Sequence, residues 1–479
     1  MGGRALGFDI GTTTVKAALL AVTENDVLEI GSITAATPET VEALTAVAAR
    51  LASTLTDRHG GVDAIGVASM AESGVALDAN GQALTPILSW DGGHGRQDAA
   101  DMASISADLF AATGVRLSGK TPLATWAWLR RTQSSTWRQM RHWLSVADLV
   151  VRDLTGVYVT DHTLAGRTGG YRLHRPGEHA PSFDADLLGL VGLTTDQLPQ
   201  VLHPHQCAAA VTQDAARRYG VAAGVPVALA GHDHQVAAWA AGVRSPGEYA
   251  NSLGTAEAVL AIVATRPPMA AVAQQGMSLT RTPWGDVEAL VGGSAAAGAT
   301  LQAWLATLTP QQQQSALAAA TRDHAANPTP TGAAALPYLR GRQCPEPDPA
   351  AQPHWPPQHW PLGRRARAVV EGICYQGRWI ATHQAEFGQT PARVRVIAGT
   401  RLPQIWLDLK AEAMPWPSNQ VSAAEPVAAG AGLLALARAD QVSWVPGWPR
   451  LPQRPTSPHN DLHRQAYNAF VERARRGGP

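Results

Sequence analysis

A chain of 479 residues with a formal net charge of zero and 16% charged residues has the length for about two or three domains, each with its own core. That balance excludes a binder working through a strongly basic face, so no nucleic-acid partner is expected. No apolar run approaches the roughly 18 residues of a membrane span, and an apolar strand begins close to Met1 where a signal peptide would lie; both predict a cytoplasmic protein without a membrane partner. Cys207, Cys344 and Cys374 are odd in number and widely spaced, which suggests neither a disulfide framework nor a zinc site.

The first element is an apolar strand from Leu6 that places Asp9 near its end, turns at Gly11 and leaves as a second strand. Thr12, Thr13, Thr14 and Val15 are β-branched and suit a strand better than a helix. The unit is therefore read as a β-hairpin whose turn offers N–H groups and hydroxyls beside a carboxylate. Such a turn can cradle phosphate while the carboxylate holds a hydrated cation. An ordinary N-terminal hairpin accounts for the local sequence equally well. A dinucleotide site does not, because the glycine spacing and the following helix are both missing.

Residues 38–55 carry apolar side chains at helical spacing, and 64–70 form a short buried-type strand, giving an α/β rhythm. Glu72 follows that strand, and Trp90 and Asp91 close another apolar run after the turn at 78–81. The loop Gly92-Gly-His-Gly-Arg96 precedes a helical stretch to about residue 113, and 126–129 and 137–154 also read as helical. Residues 225–235 are a buried strand ending in Gly231-His-Asp-His234, followed by a small-residue helix. Residues 247–263 repeat the opening pattern, two strands around Ser252-Leu-Gly-Thr255, and Gly298 opens a helix. A long helix is expected over 366–387, a strand over 394–399 running into Gly399-Thr400, a small-residue helix over 426–439, a Pro/Trp-rich stretch over 444–455 and a polar terminal helix over 462–476.

Asp233 is the sharpest candidate, because it stands where a buried strand stops at a glycine-flanked turn. Ionised at neutral pH, it could take a proton from an attacking hydroxyl; a turn-capping aspartate is the competing role. His232 and His234 flank it, but a His-x-His pair without a third ligand is weak evidence for zinc. Glu72, Trp90, Asp91 and Arg96 all fall in loops after strands and together could line a polar pocket with one aromatic wall, as sugars need. Lys16 points either toward phosphate or toward solvent.

In this order, Phe8-Asp-Ile-Gly-Thr-Thr-Thr-Val-Lys16, Glu72, Trp90-Asp91, Gly231-His-Asp-His234 and Ser252-Leu-Gly-Thr255 resemble the FGGY carbohydrate kinases, and the resemblance extends over nearly the whole chain. It implies an actin/hexokinase-type α/β fold: two ribonuclease-H-like lobes with mixed sheets flanked by helices, and an active-site cleft between them. The implied division is 1–243 for the sugar-binding lobe, 244–440 for the nucleotide-binding lobe and 441–479 for a tail. The implied reaction is ATP-dependent phosphorylation of a small ketose, polyol or sugar acid by a monomer or homodimer. By resemblance, Asp9 orients Mg²⁺, with Asp233 beside it and water completing the contact. Thr12 and Thr13, with Gly11 and Lys16, face the ATP phosphates; Gly254, Thr255 and Gly298 form a second phosphate turn; Gly399 and Thr400 fall near the adenosine. Asp233 is the base, and Glu72, Trp90, Asp91, Arg96 and His232 face the sugar. Two departures stand out. Relatives carry a compact Trp-x-Asp-x-Arg run where this chain has the longer 90–96 loop, and consecutive glycines where it has Ala398-Gly-Thr-Arg-Leu402. Two other activities remain open on the same fold: a non-catalytic ATP-binding switch, and an ATPase using water as acceptor.

Overall fold

A computed structural model describes residues 3–23, 26–399, 402–439, 450–455 and 462–477. Thr400 and most of the 441–461 stretch lie outside the described residues. The chain forms two compact units. One comprises residues 1–244, 278–289 and 422–452; the other comprises 245–277, 290–421 and 453–479.

The first unit is built on β1 (Gly3–Ile10), β2 (Thr14–Val22), β3 (Val27–Ala36) and β4 (Ala64–Ser69). The sheet runs β3-β2-β1-β4, then strand Pro226–His232, then the short strand Ala209–Ala210. β1 and β2 form the expected antiparallel hairpin, with Asp9 opposite Lys16. β1, β4 and Pro226–His232 are parallel neighbours, so their carboxyl ends emerge on one edge of the sheet. Asp9, Glu72 and Asp233 stand at or just beyond those three ends, where open α/β sheets bind ligands.

Side chains alternate across β1. Leu6, Phe8 and Ile10 join the core formed with helix α1 (Val41–His59) and helix Val146–Thr155. The other face takes the small-residue helix Pro426–Ala439 at close range. A Cβ at Gly66 would lie only 1.9 Å from the backbone oxygen of Ala431. Gly66→Ala must therefore push the helix off the sheet, and we expect a loss of about 3 kcal/mol, at the upper end for overpacking, read as a lower denaturation midpoint.

The second unit repeats the plan. Strands Glu248–Leu253 and Glu257–Val263 are an antiparallel hairpin, and Arg393–Ala398 runs parallel to the first of them, as β4 does to β1. Strand Ser418–Val421 continues the sheet in parallel, and Gln453–Pro455 pairs antiparallel to it. The long helix Leu362–Glu386 covers this sheet and packs Trp379 with Trp304 and Trp406 in one core. With Trp126 and Trp239 of the first unit these rank among the largest fully buried side chains, which accounts for part of the tryptophan content by packing.

Two local expectations are corrected. Residues 137–154 are not one helix: a helix ends at Gln139, strand His142–Ser145 pairs with Gly74–Leu77, and a new helix starts at Val146. The 97–113 stretch is likewise broken into helices Arg96–Asp101 and Ser106–Thr113 around a short 3₁₀ turn. No described helix is long and apolar enough to cross a membrane.

Candidate active site

The hairpin turn is closed by the Gly11 N–H donating to Thr14 O at 3.0 Å, and the Thr37 hydroxyl donates to Gly11 O at 2.7 Å. This leaves Thr12 and Thr13 exposed at the tip. The Thr12 hydroxyl is fixed from the side by Trp90, whose indole Nε1–H donates to it at 2.9 Å. The hairpin turn and the Trp90 ring are thus joined by a direct bond.

Asp9 is buried at the end of β1. Its Oδ2 accepts from Lys16 Nζ at 3.1 Å, and the same ammonium lies 3.3 Å from Glu425 Oε2, just ahead of helix Pro426–Ala439. Lys16 is therefore held between two carboxylates. Burial pushes the Asp9 carboxyl above its ordinary value; Lys16 opposes that, and the nearby charge of Asp233 adds to it. Two hard carboxylates within each other's field suit a hydrated divalent cation, which would relieve their repulsion.

Asp233 opens helix Asp233–Ala240. Its Oδ1 accepts the His234 N–H at 2.6 Å and lies 3.2 Å from His232 Nε2. Ligand atoms of His232, Asp233 and His234 all fall within 4.8 Å of one another. His232 is buried, which drives its pKa well below the ordinary imidazole value, with His234 and Arg167 pushing the same way.

Glu72 has φ +64°, rare for a residue other than glycine and a form of strain that clusters at functional sites. The conformation turns its carboxylate onto Arg167, with Nη2 at 2.6 Å and Nε at 3.0 Å from Oε1. Burial alone would raise this carboxyl, but Arg167, Lys120 and His232 outweigh it and hold it at about 2, against an ordinary 4.5. A depressed carboxyl contributes stability that is whole above its unfolded value and is lost as pH falls through its folded one. Glu72→Gln should therefore lose roughly 3 kcal/mol against the parent at pH 7, a gap that closes between about pH 4.5 and pH 2 in acid-unfolding curves.

Lys120 completes this group. Glu72 favours its charge, but burial and the neighbouring Arg167 and Arg116 lower its pKa overall. Its ammonium sits 5.9 Å from the centre of the Trp90 ring. Of the residues expected to face the sugar, Glu72, Trp90 and His232 gather with Lys120 and Arg167 around the strand ends. Among the described contacts Asp91 and Arg96 do not join them: Asp91 accepts the Ser89 hydroxyl at 2.6 Å in an exposed turn, and Arg96 is exposed at the start of a short helix. Sequence reasoning missed Lys120 and Glu425. The scarcity of lysine, three in the chain, was the one available signal for the first.

In the second unit, Gly254, Thr255 and Gly298 come together. The Gly298 N–H donates to Gly254 O at 3.1 Å and the Ala299 N–H to Thr255 O at 3.1 Å, which docks the start of helix Gly298–Leu305 on the hairpin turn. Gly399 follows strand Arg393–Ala398, whose Ala398 pairs with Leu253, so it lies at the same end of the sheet.

Two units of mixed sheet flanked by helices, each with a hairpin turn and a parallel partner strand, define an actin/hexokinase-like α/β protein. Residues 4–240 match the FGGY family of carbohydrate kinases, N-terminal domain, and residues 249–439 match its C-terminal domain; the chain belongs to this family. It is 25% identical over 430 residues to a xylulose kinase of Escherichia coli (strain K12), covering 85% of this chain and 84% of that one. It is 30% identical over 204 residues to an L-fuculokinase of Salmonella typhi, a match spanning 42% of this chain and only 41% of the relative. Among crystal structures, gluconate kinase from Lactobacillus acidophilus superposes with a TM-score of 0.82 at 19% identity, covering 98% of this chain and 97% of that one.

Proposed function

We propose that this chain transfers the γ-phosphoryl group of ATP to a hydroxyl of a small sugar or polyol. The observation that carries the reading is the placement of Asp9, Glu72 and Asp233 at three neighbouring parallel strand ends, with the Trp90 indole bonded to the exposed threonine turn beside them. In the reaction the acceptor oxygen bonds to the γ-phosphorus. The bond from that phosphorus to the bridging oxygen breaks, its electron pair leaves with ADP, and the hydroxyl proton passes to the Asp233 carboxylate. Asp9 and Asp233 would hold Mg²⁺, partly through water, to offset charge on the phosphate oxygens. Thr12 and Thr13 donate to the phosphates, and the Gly254–Thr255 turn with Gly298 is assigned to the nucleotide, Gly399 to its adenosine side. Glu72 and Arg167, locked together, present a fixed polar surface to the acceptor hydroxyls.

The test is ADP release coupled to a panel of pentuloses, hexuloses, tetritols, glycerol and aldonates. Release that depends on one class supports the reading. Release indifferent to every acceptor identifies an ATPase, and ATP binding without turnover identifies a switch.

Within that panel one observation favours a sugar acid: Lys120 adds a second cation to Arg167 beside the single carboxylate of Glu72. Lys120→Met is expected to raise KM for an aldonate at least tenfold, the order of one charge-assisted hydrogen bond, and to change KM for a pentulose far less. Equal effects on both would leave Lys120 without a role in acid recognition.

A further inference from the structure

The strand that delivers Asp233 is irregular. Its register against β4 slips between Leu229 and Gly231, and Gly231 adopts φ +117°, open in practice only to glycine. Bulges beside active sites re-aim the residue that follows. What holds this one lies beneath it. The Thr163 hydroxyl accepts the His232 N–H at 2.8 Å and donates its own proton to Asp161 Oδ1, which also accepts the Thr163 N–H at 2.7 Å. The other oxygen, Asp161 Oδ2, faces His162 Nδ1 at 3.3 Å and Arg438 Nη2 at 3.5 Å. Arg438 reaches in from helix Pro426–Ala439, donates to Leu229 O ahead of the slip, and donates to Pro283 O at 2.9 Å. Asp161, Thr163 and Arg438 are all 3% exposed or less. A side chain at Gly231 would leave no room for the clamp, since its Cβ would stand 2.4 Å from Thr163 Oγ1 and 2.6 Å from Asp161 Oδ1.

We propose that Thr163, oriented by Asp161 and Arg438, is a positioning residue that sets the aim of Asp233 through the backbone of His232. The inference rests on Asp233 being the base. Among the described hydrogen bonds and ion pairs Thr163 makes none with Asp233; it fixes the backbone N–H of the preceding residue, His232. Its hydroxyl has one orientation available, because it must accept from the amide and donate to the carboxylate. Arg438 grips the carbonyl on the near side of the slip and Thr163 the N–H on the far side, so the bulge is held at both ends.

Thr163→Val, Thr163→Ser and Asp233→Ala are compared in the full chain. Valine keeps the shape and removes both hydrogen bonds; serine keeps both. We expect Thr163→Val to lower kcat by about 10- to 100-fold, the effect of a displacement approaching an ångström, with KM for ATP and sugar within about threefold. Thr163→Ser should stay within about threefold of the parent in kcat. A Val variant with parental kcat, or Val and Ser variants that lose activity equally, would overturn the assignment. Should Thr163→Val not fold, Asp161→Asn is read in the same assay, where a kcat loss with steady KM supports the clamp and an unchanged kcat refutes it. If Asp233→Ala retains turnover, the base assignment itself falls. If Asp233→Ala is inactive while Thr163→Val is unimpaired, only the positioning role is lost.

Discussion

Asp233→Ala is expected to cut sugar-dependent ADP release by roughly 10²–10⁴, the usual contribution of a positioned base. The fold should survive, because the Asp233 side chain is at the amino end of a helix and makes its described contacts only with His232 and His234. ATP binding should persist, since the groups assigned to phosphate lie on the hairpin turns and Asp9 remains to hold Mg²⁺. The informative pattern is a collapse of kcat with a near-normal melting temperature. Turnover close to the parent would remove Asp233 from the role and leave the acceptor proton to another group or to water.

The largest expected effect on stability lies in the other unit. Lys410 and Glu257 form an ion pair whose side chains are both 0% exposed, and Asn251 Nδ2 donates to the same carboxylate oxygen at 2.8 Å. Removing one partner of such a pair strands a charge where water cannot reach it. Lys410→Met should therefore cost about 3–5 kcal/mol, seen as a marked drop in the denaturation midpoint. The double variant Lys410→Met/Glu257→Leu removes both charges and should recover most of the loss. If the single variant is as stable as the parent, the pair is not buried as described. Because Glu257 lies two residues beyond Thr255, the single variant should also raise KM for ATP.

How much of this was legible in the sequence depended on the range of the forces involved. The hairpin around Gly11 was readable because β-branched residues and a tight turn act locally. Asp9 and Asp233 were readable because each ends a continuous apolar run. The stretch 137–154 was misread because His142–Ser145 becomes a strand only through its partner at Gly74–Leu77, a tertiary contact that overrides helical spacing. A local clue did exist there: Ser145 and Asp148 form a capping box that marks the true helix start. Glu425 and Arg438 left no such trace. Both act across the sheet on groups hundreds of residues earlier in the chain, and only the packing of their helix brings them there. Glu72 stood in the expected loop, but its left-handed backbone and its lock on Arg167 depend on the folded surroundings.

Helix Pro426–Ala439 also orders events in time. It seals one face of a sheet whose first strand begins at Gly3, yet it is made after the whole 245–421 stretch has been synthesised. At about 5–20 residues per second, a ribosome that has finished strand Pro226–His232 takes on the order of 10–40 seconds to deliver the helix that covers it. During that interval the nascent first unit carries a bare, glycine-lined sheet face. A truncated chain ending near residue 243 would carry that bare face permanently, so the first unit reaches its final form only after residues 426–439 have been made.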